Sequence, residues 1–400
     1  MKKRTDIWII AGEASGDLYG ARLAKALRAS APSDMDLHIS GMGGAQMSAA
    51  GVECRVDSTE LGVMGVFEVF RLIGTFIRIF CNFVRWAREE RPDAVILIDY
   101  PGFNIRFARQ LRKMNIPVIW YISPHVWVWG KKRIPKLAEY CRKMLLIFPF
   151  ETEVYAGTGL DTEFVGHPLL NIVDERRDNT IARDENTLVL LPGSRKMEIE
   201  RLWKDFLLTA GAYALKHPGC RIVAAVPREK VAVQCREIME KMKKSIELPN
   251  VEIEVGKTGY WQQKGTLALA ASGTVTVESA LAGLPLVVAY RMNWFTIILA
   301  KFLVKLYRGF FTMANIVADR VVYEEFLQHH VSVKELLPAL ERIAPGGERR
   351  DDVIAGMNLV RKLLSPAGDV EAAAETADSR AASAVLEVIQ QGRIKSEKDS

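Results

Sequence analysis

The sequence predicts an α/β protein made of two Rossmann-like, doubly wound parallel-sheet domains facing a cleft. Three observations carry that reading. Short apolar runs such as "AVILID" at 94–99 recur along the chain, and unbroken runs suit strands buried on both faces of a parallel sheet. Helical patterns separate them, as in successive βαβ units. The alternation pauses at the hydrophilic "NIVDERRDNTIARDEN" at 171–186 and then restarts within a chain of 400 residues, a length that accommodates two to three domains.

In chain order, "IWII" at 7–10 reads as the first strand, and Leu18 to Leu27 as the helix after it. "LHIS" at 37–40 is the second strand, followed by the Gly-rich "GMGG". Residues 66–90 form one long helical pattern or two. The strands "AVILID", "PVIWYIS" at 117–123, "KMLLIFPF" at 143–150 and "EFVGHP" at 163–168 complete the first half. The second half offers "TLVLLPGSR" at 187–195, "RIVAAVP" at 221–227, "VEIEV" at 251–255, "GTLALAASGT" at 265–274 and "PLVVAY" at 285–290. The expected division is 1–168, 169–345, and a helical segment at 346–400 that packs back across the domains and ends in a frayed tail.

Composition narrows the function classes. The chain is 49% hydrophobic and 26% charged, with a formal net charge of +6. That balance suits an anionic substrate or a membrane surface, and no basic-aromatic module of a nucleic-acid binder is visible. The five cysteines are scattered and never spaced as CxxC, which reads as reduced thiols. The histidines lack metal-ligand spacing. "DMD" at 34–36 precedes a strand and so lies on the wrong edge of the sheet for metal-assisted transfer. No metal and no cofactor are expected. The opening Met-Lys-Lys-Arg precedes an apolar run that stops at Gly12 and Glu13, too short for a signal core. No span reaches the ~20 apolar residues of a membrane helix; Arg78 and Arg85, or Arg291, Lys301 and Lys305, interrupt the nearest candidates.

In open parallel sheets, ligands bind beyond the carboxyl ends of the strands, so the loops there hold the candidates. "LLPGSR" ends a strand and opens a helix. Gly193 lets backbone approach a ligand, Ser194 can cap the helix, and Arg195 offers a forked cation to a diphosphate; a plain cap and a solvated charge are the alternative. "ASGTVTVES" repeats the arrangement with Ser272, Gly273 and Thr274. Glu278 follows four residues after Thr274 on the same helix face, placed to accept both hydroxyls of a ribose. Asp99 ends the central strand of the first half, where a carboxylate can act as a general base or merely cap the turn Tyr100-Pro101-Gly102. "YISPHVWVWG" at 121–130 interleaves tryptophans with His125, either as a wall for a sugar or acyl chain or as core packing.

Taken in order, "AGEASGD", "MGVFEV", "IDYPGFN", "YISPHVWVWG", "VGHP", "LLPGSR..EI", "ASGT...ES" and "ANIVADR" resemble the lipid-A-disaccharide synthase family from about residue 7 to 330. The resemblance implies a glycosyltransferase of GT-B architecture. It would condense UDP-2,3-diacylglucosamine with 2,3-diacylglucosamine 1-phosphate (lipid X), with inversion, to a β-1,6-linked disaccharide 1-phosphate and UDP. By that pattern Asp99 is the base and Arg195 the diphosphate contact, with Gly193, Ser194, Ser272, Gly273, Thr274, Glu278 and Asn315 on the nucleotide side. Glu13, Ser15, Asp17, Asn104 and His125 fall on the acceptor side. The implied setting is cytoplasmic and peripheral to the inner membrane, on an anionic surface, and a homodimer is left open. The chain departs from the family pattern at Met313-Ala314-Asn315, usually Leu-Pro-Asn, and at Val322-Tyr323, usually Val-Pro or a similar pair.

Acylated substrates require a membrane contact. Phe67, Phe70, Phe76, Phe80, Phe83 and Trp86 recur at helical spacing beside Arg71, Arg78, Arg85 and Arg88. That combination suits an interfacial helix, with an ordinary core-facing helix as the alternative. Other readings of the chain are a UDP-sugar epimerase, another UDP-GlcNAc transferase, or a non-catalytic nucleotide or membrane binder.

Overall fold

A computed structural model describes residues 3–58, 69–127, 130–291, 309–366 and 375–398. The chain forms two compact units: 1–168 with 371–400, and 169–370.

The first unit runs β1 (Lys3–Ala11), α1 (Ala14–Ser30), β2 (Met35–Gly43), α2 (Ala45–Ala49), β3 (Glu53–Asp57), α3 (Val69–Glu90), β4 (Ala94–Ile98), α4 (Pro101–Lys113), β5 (Val118–Tyr121), α5 (Ile134–Tyr140), β6 (Lys143–Leu146), α6 (Glu151–Tyr155) and β7 (Asp161–Phe164). Its sheet has the order β3-β2-β1-β4-β5-β6-β7, with all pairings parallel. All five residues of β4 are buried, because helices cover both faces of a doubly wound sheet.

The second unit runs α7 (Leu169–Glu175), β8 (Thr187–Leu191), α8 (Lys196–Lys216), β9 (Arg221–Val226), α9 (Glu229–Lys243), β10 (Glu252–Val255), α10 (Thr258–Lys264), β11 (Leu267–Ala271), α11 (Thr274–Ala282), β12 (Leu286–Tyr290), α12 (Met313–Ala318), β13 (Glu325–Leu327), α13 (Val333–Ile343) and α14 (Arg350–Leu364). Its parallel sheet has the order β10-β9-β8-β11-β12-β13. The last helix, α15 (Ala377–Lys398), belongs to the first unit. It packs along α1, where Arg22 pairs with Asp378 at 2.7 Å.

Both sheets reverse their winding direction once, between β1 and β4 and between β8 and β11. Register sets what emerges there. Ala11 pairs with Ile98, so Gly12-Glu13 and Asp99-Tyr100 leave the first sheet side by side. Leu191 pairs with Ala270, so the loops at 192–195 and 272–274 leave the second sheet together.

Some local expectations change. The glycines of "GMG" complete β2 instead of forming a loop. The short, half-buried edge strands β3 and β13 carry no apolar run and had no sequence signal.

The aromatic stripe of α3 is mostly core. Phe83 is fully buried, and Phe80 and Trp86 pack against the same cluster; Phe83 lies 5.2 Å from Trp86 and Phe80 lies 5.5 Å from Phe103. The exposed residues of this helix include Ile77, Arg78, Arg85 and Arg88, with Phe76 half-buried. Phe67 and the side chains of Phe70 and Arg71 lie outside the described residues. No helix among the described residues is long and apolar enough to cross a membrane.

Candidate active site

The first unit builds its site on strained backbone. Asp99 and Tyr100 stand consecutively in the left-handed region, at φ 41° and 48°. Aspartate tolerates that conformation and tyrosine does so at a cost. Asn104 secures the turn: its side-chain amide donates to the Asp99 carbonyl at 2.8 Å and the Ile98 carbonyl at 3.2 Å. Pro101 then starts α4 with its fixed φ. The Tyr100 ring stacks on Phe103 at 6.1 Å and lies over Gly12, where a Cβ would meet it at 2.2 Å. Gly12 is therefore small to admit Tyr100.

This geometry leaves the Asp99 carboxyl partly covered and close to Glu13. Burial first, and the Glu13 charge second, push it up to about 6, while the Tyr100 N–H pulls the other way. A carboxylate that titrates just below neutrality is a base with real proton affinity. Glu13 and Ser15 are exposed at the start of α1. His125 is exposed on the loop after β5, its ring edge-on to Trp127 at 5.3 Å.

Two residues expected on the acceptor side do other work. Asp17 is 2% exposed; its carboxylate accepts the N–H groups of Gly44 at 2.7 Å, Gln46 at 3.0 Å and Met47 at 3.0 Å. It caps α2 from across the fold and leaves little room for a ligand. Asn104 is fully buried and spends its amide on the Asp99 turn, so it shapes the site without facing it.

In the second unit, Gly193, Ser194, Arg195, Ser272, Gly273, Thr274 and Glu278 line one cavity of about 400 Å³. Helices α8 and α11 both begin at it, presenting unpaired N–H groups and the positive ends of their dipoles. Gly193 is needed twice over. Its φ is +97°, and a Cβ would lie 2.6 Å from Glu198 Oε2. The cap of α8 is Arg195 rather than Ser194. Glu198 accepts the Arg195 N–H at 3.3 Å and its guanidinium at 3.0 Å, which holds an otherwise exposed cation at the rim. Likewise Gly273 caps α11, so Thr274 is its first residue and not its cap. The Glu278 carboxyl is pushed up by burial, against the attraction of Arg176 and a hydrogen bond with Gln262. It faces the cavity as a strong acceptor for hydroxyl groups.

Asn315 is not part of this cavity. It is fully buried. Its amide donates to the Tyr323 carbonyl at 2.8 Å, and its carbonyl accepts the Val322 and Tyr323 N–H groups at 2.9 and 2.8 Å. It clamps its own loop, which includes Val322 and Tyr323. Sequence reasoning missed Thr258 and Glu198 as lining residues. Thr258 carried no signal beyond its place after β10, and Glu198 escaped because its capping partner is Arg195, not the Ser or Thr of the usual capping-box pattern.

A family model described as lipid-A-disaccharide synthetase matches residues 7–365. The lipid-A-disaccharide synthase of Myxococcus xanthus is 33% identical over 395 residues, covering 97% of this chain and 98% of its own. Among solved structures, the Neisseria meningitidis UDP-GlcNAc 2-epimerase bound to UDP-GlcNAc aligns with a TM-score of 0.59 at 11% identity, covering 97% of this chain and 100% of its own. Glycyrrhiza uralensis UGT73P12, complexed with glycyrrhetinic acid 3-O-monoglucuronide, gives 0.60 at 12% identity, covering 99% and 98%. At such identities these two share the fold alone, which is the GT-B arrangement of two parallel-sheet units.

Proposed function

The chain belongs to the lipid-A-disaccharide synthetase family, glycosyltransferases of lipid A biosynthesis, and from that premise we propose the substrates and the roles of its residues. The donor is UDP-2,3-diacylglucosamine and the acceptor is lipid X. The acceptor 6-hydroxyl oxygen attacks the anomeric carbon, its proton passes to Asp99, and the anomeric C–O bond to UDP breaks with inversion. The observation that carries this reading is the cavity shared by the starts of α8 and α11, with Arg195 at its rim and Glu278 facing in. Two helix N-termini and a guanidinium meet the charge growing on a leaving diphosphate, and a buried carboxylate suits ribose hydroxyls. Asp99 supplies the base, while Glu13, Ser15 and His125 are left exposed for the acceptor.

Incubation with both acylated sugars, followed by mass spectrometry, tests the proposal. The expected products are the disaccharide 1-phosphate and UDP in equal amounts. UDP release without lipid X, or a 2-epimerised sugar, would overturn it.

Peripheral docking on the anionic inner-membrane leaflet belongs to the same proposal. It rests on Ile77, Arg78 and Arg85, which are among the exposed residues of α3. Replacing Arg78 and Arg85 by Glu is expected to reduce sedimentation with anionic vesicles. Phe80 is unsuited to that test because it packs against the core.

A further inference from the structure

Beside Asp99 stands an aromatic side chain that the reaction leaves unused. Tyr100 has a φ of 48°, and for a bulky residue the left-handed region is a true outlier. Strain of this kind persists only where the surroundings over-determine the backbone. Here they do. The Asp99 N–H donates to the Tyr121 carbonyl at 3.2 Å, and the Tyr100 carbonyl accepts the N–H groups of Phe103 at 3.3 Å and Asn104 at 3.0 Å.

The strained turn brings the Tyr100 ring against two fixed surfaces. One is Phe103, its ring 6.1 Å away with the planes 26° apart. Phe103 is buried and is held in turn by Phe80 at 5.5 Å and Phe107 at 5.8 Å, so this seat belongs to the core. The other is the backbone of Gly12. A Cβ there would have three atoms of the Tyr100 ring as its nearest neighbours, Cδ1 at 2.2 Å, Cγ at 2.3 Å and Cδ2 at 2.6 Å. Gly12 itself lies outside the left-handed region, so it is the ring and not the backbone conformation that keeps a side chain out.

Register gives this contact a consequence. Strands β1 and β4 pair as far as Ala11 and Ile98. Past that pair the ladder no longer spaces the two chains. The ring spans them instead, from the turn that carries Asp99 to the residue before Glu13. Without the ring, a void beside Asp99 lets the loop at 12–15 move in. With a Cβ at Gly12, the two segments are driven apart.

We propose that Tyr100 is a positioning residue whose ring, seated on Phe103 and against the Gly12 backbone, sets the spacing between Asp99 and the loop that bears Glu13 and Ser15. The inference rests on reading Asp99 as the base and that loop as the acceptor side. A reacting group misplaced by about 1 Å loses on the order of 10²-fold in rate, so the spacing is felt in kcat.

The test uses the full chain with Tyr100→Phe, Tyr100→Ala, Gly12→Ala and the last two combined. Tyr100→Phe keeps the ring and should hold kcat within about twofold. Tyr100→Ala should lower kcat roughly tenfold at unchanged donor KM. Gly12→Ala should lower it by about 10²-fold, because its Cβ meets the ring. In the double variant the obstructing ring is gone. Tyr100→Ala should therefore raise the kcat of Gly12→Ala roughly tenfold while lowering that of wild type. A merely destabilising role gives no such change of sign. The melting temperature, which needs no turnover, should rise when Tyr100→Ala is added to Gly12→Ala but not when it is added to wild type. The inference is overturned if Tyr100→Ala keeps the wild-type kcat, if Tyr100→Phe falls as far as Tyr100→Ala, or if the two single losses multiply in the double variant. A wild type that makes no disaccharide overturns the substrate reading instead, and the inference then stands or falls on the melting temperatures. Should Gly12→Ala fail to fold, Tyr100→Phe and Tyr100→Ala decide the role through kcat at unchanged donor KM.

Discussion

Replacing Glu13 by Gln probes the base through its neighbour without touching it. The Asp99 carboxyl is held at about 6 against an ordinary 3.8, by burial first and by Glu13 second. The displacement of roughly two units corresponds to ~3 kcal/mol of disfavoured ionisation. A general base must be ionised to act, so kcat/KM should rise with pH through an acid limb near 6. With that value the carboxyl is about 90% ionised at pH 7 and about 10% at pH 5, a roughly tenfold change in rate. Glu13→Gln removes the like charge and leaves the burial. Its acid limb should therefore move down, yet stay above 3.8 because the larger cause persists. Steady-state kinetics from pH 4.5 to 8.5, at fixed saturating donor, reads both limbs. A wild-type limb below pH 5, or a Glu13→Gln limb that stays put or moves up, would refute the coupling.

Asp99→Asn should lower turnover by about 10²–10⁴ yet stabilise the fold at neutral pH. The wild-type carboxyl has a raised folded value, so its contribution is fully present below 3.8 and lost as pH rises through about 6; the melting-temperature gap in favour of Asn should open over that window and close below it. Arg195→Ala should cut kcat by about 10²–10³ and raise the donor KM. Its melting temperature should barely change, because an exposed pair with Glu198 contributes little. Asp17→Asn sets an amide against backbone N–H donors and should cost about 1–3 kcal/mol in denaturant unfolding, with both KM values of the folded protein unchanged.

Much of this architecture was legible because parallel sheets advertise themselves. The residues "AVILI" and "TLVLL" are apolar throughout, and β4 and β8 are buried throughout. The strands β3 and β13 escaped because edge strands keep one side in solvent and carry polar residues. In the second unit the loop residues after β8 and β11 could be grouped in advance. Each sits at a strand's carboxyl end, and the crossover rule sends those ends to one edge.

What the sequence could not separate was a polar residue working for a ligand from one working for the backbone. Asp17 shares "AGEASGD" with exposed Glu13 and Ser15, Asn104 and Asn315 stand in motifs of the same kind, and letters alone treat them alike. The difference lies in partners distant in sequence or folded into a tight turn. Asp17 spends its charge on three N–H groups of the helix start at 44–47, which neutralise it as a ligand-binding group. Asp99 has the opposite surroundings. Burial and the neighbouring charge of Glu13 outweigh its bond from the Tyr100 N–H, so its proton affinity rises. Two carboxylates near the carboxyl end of one sheet thus diverge, one satisfied by backbone N–H groups and the other left with a raised proton affinity.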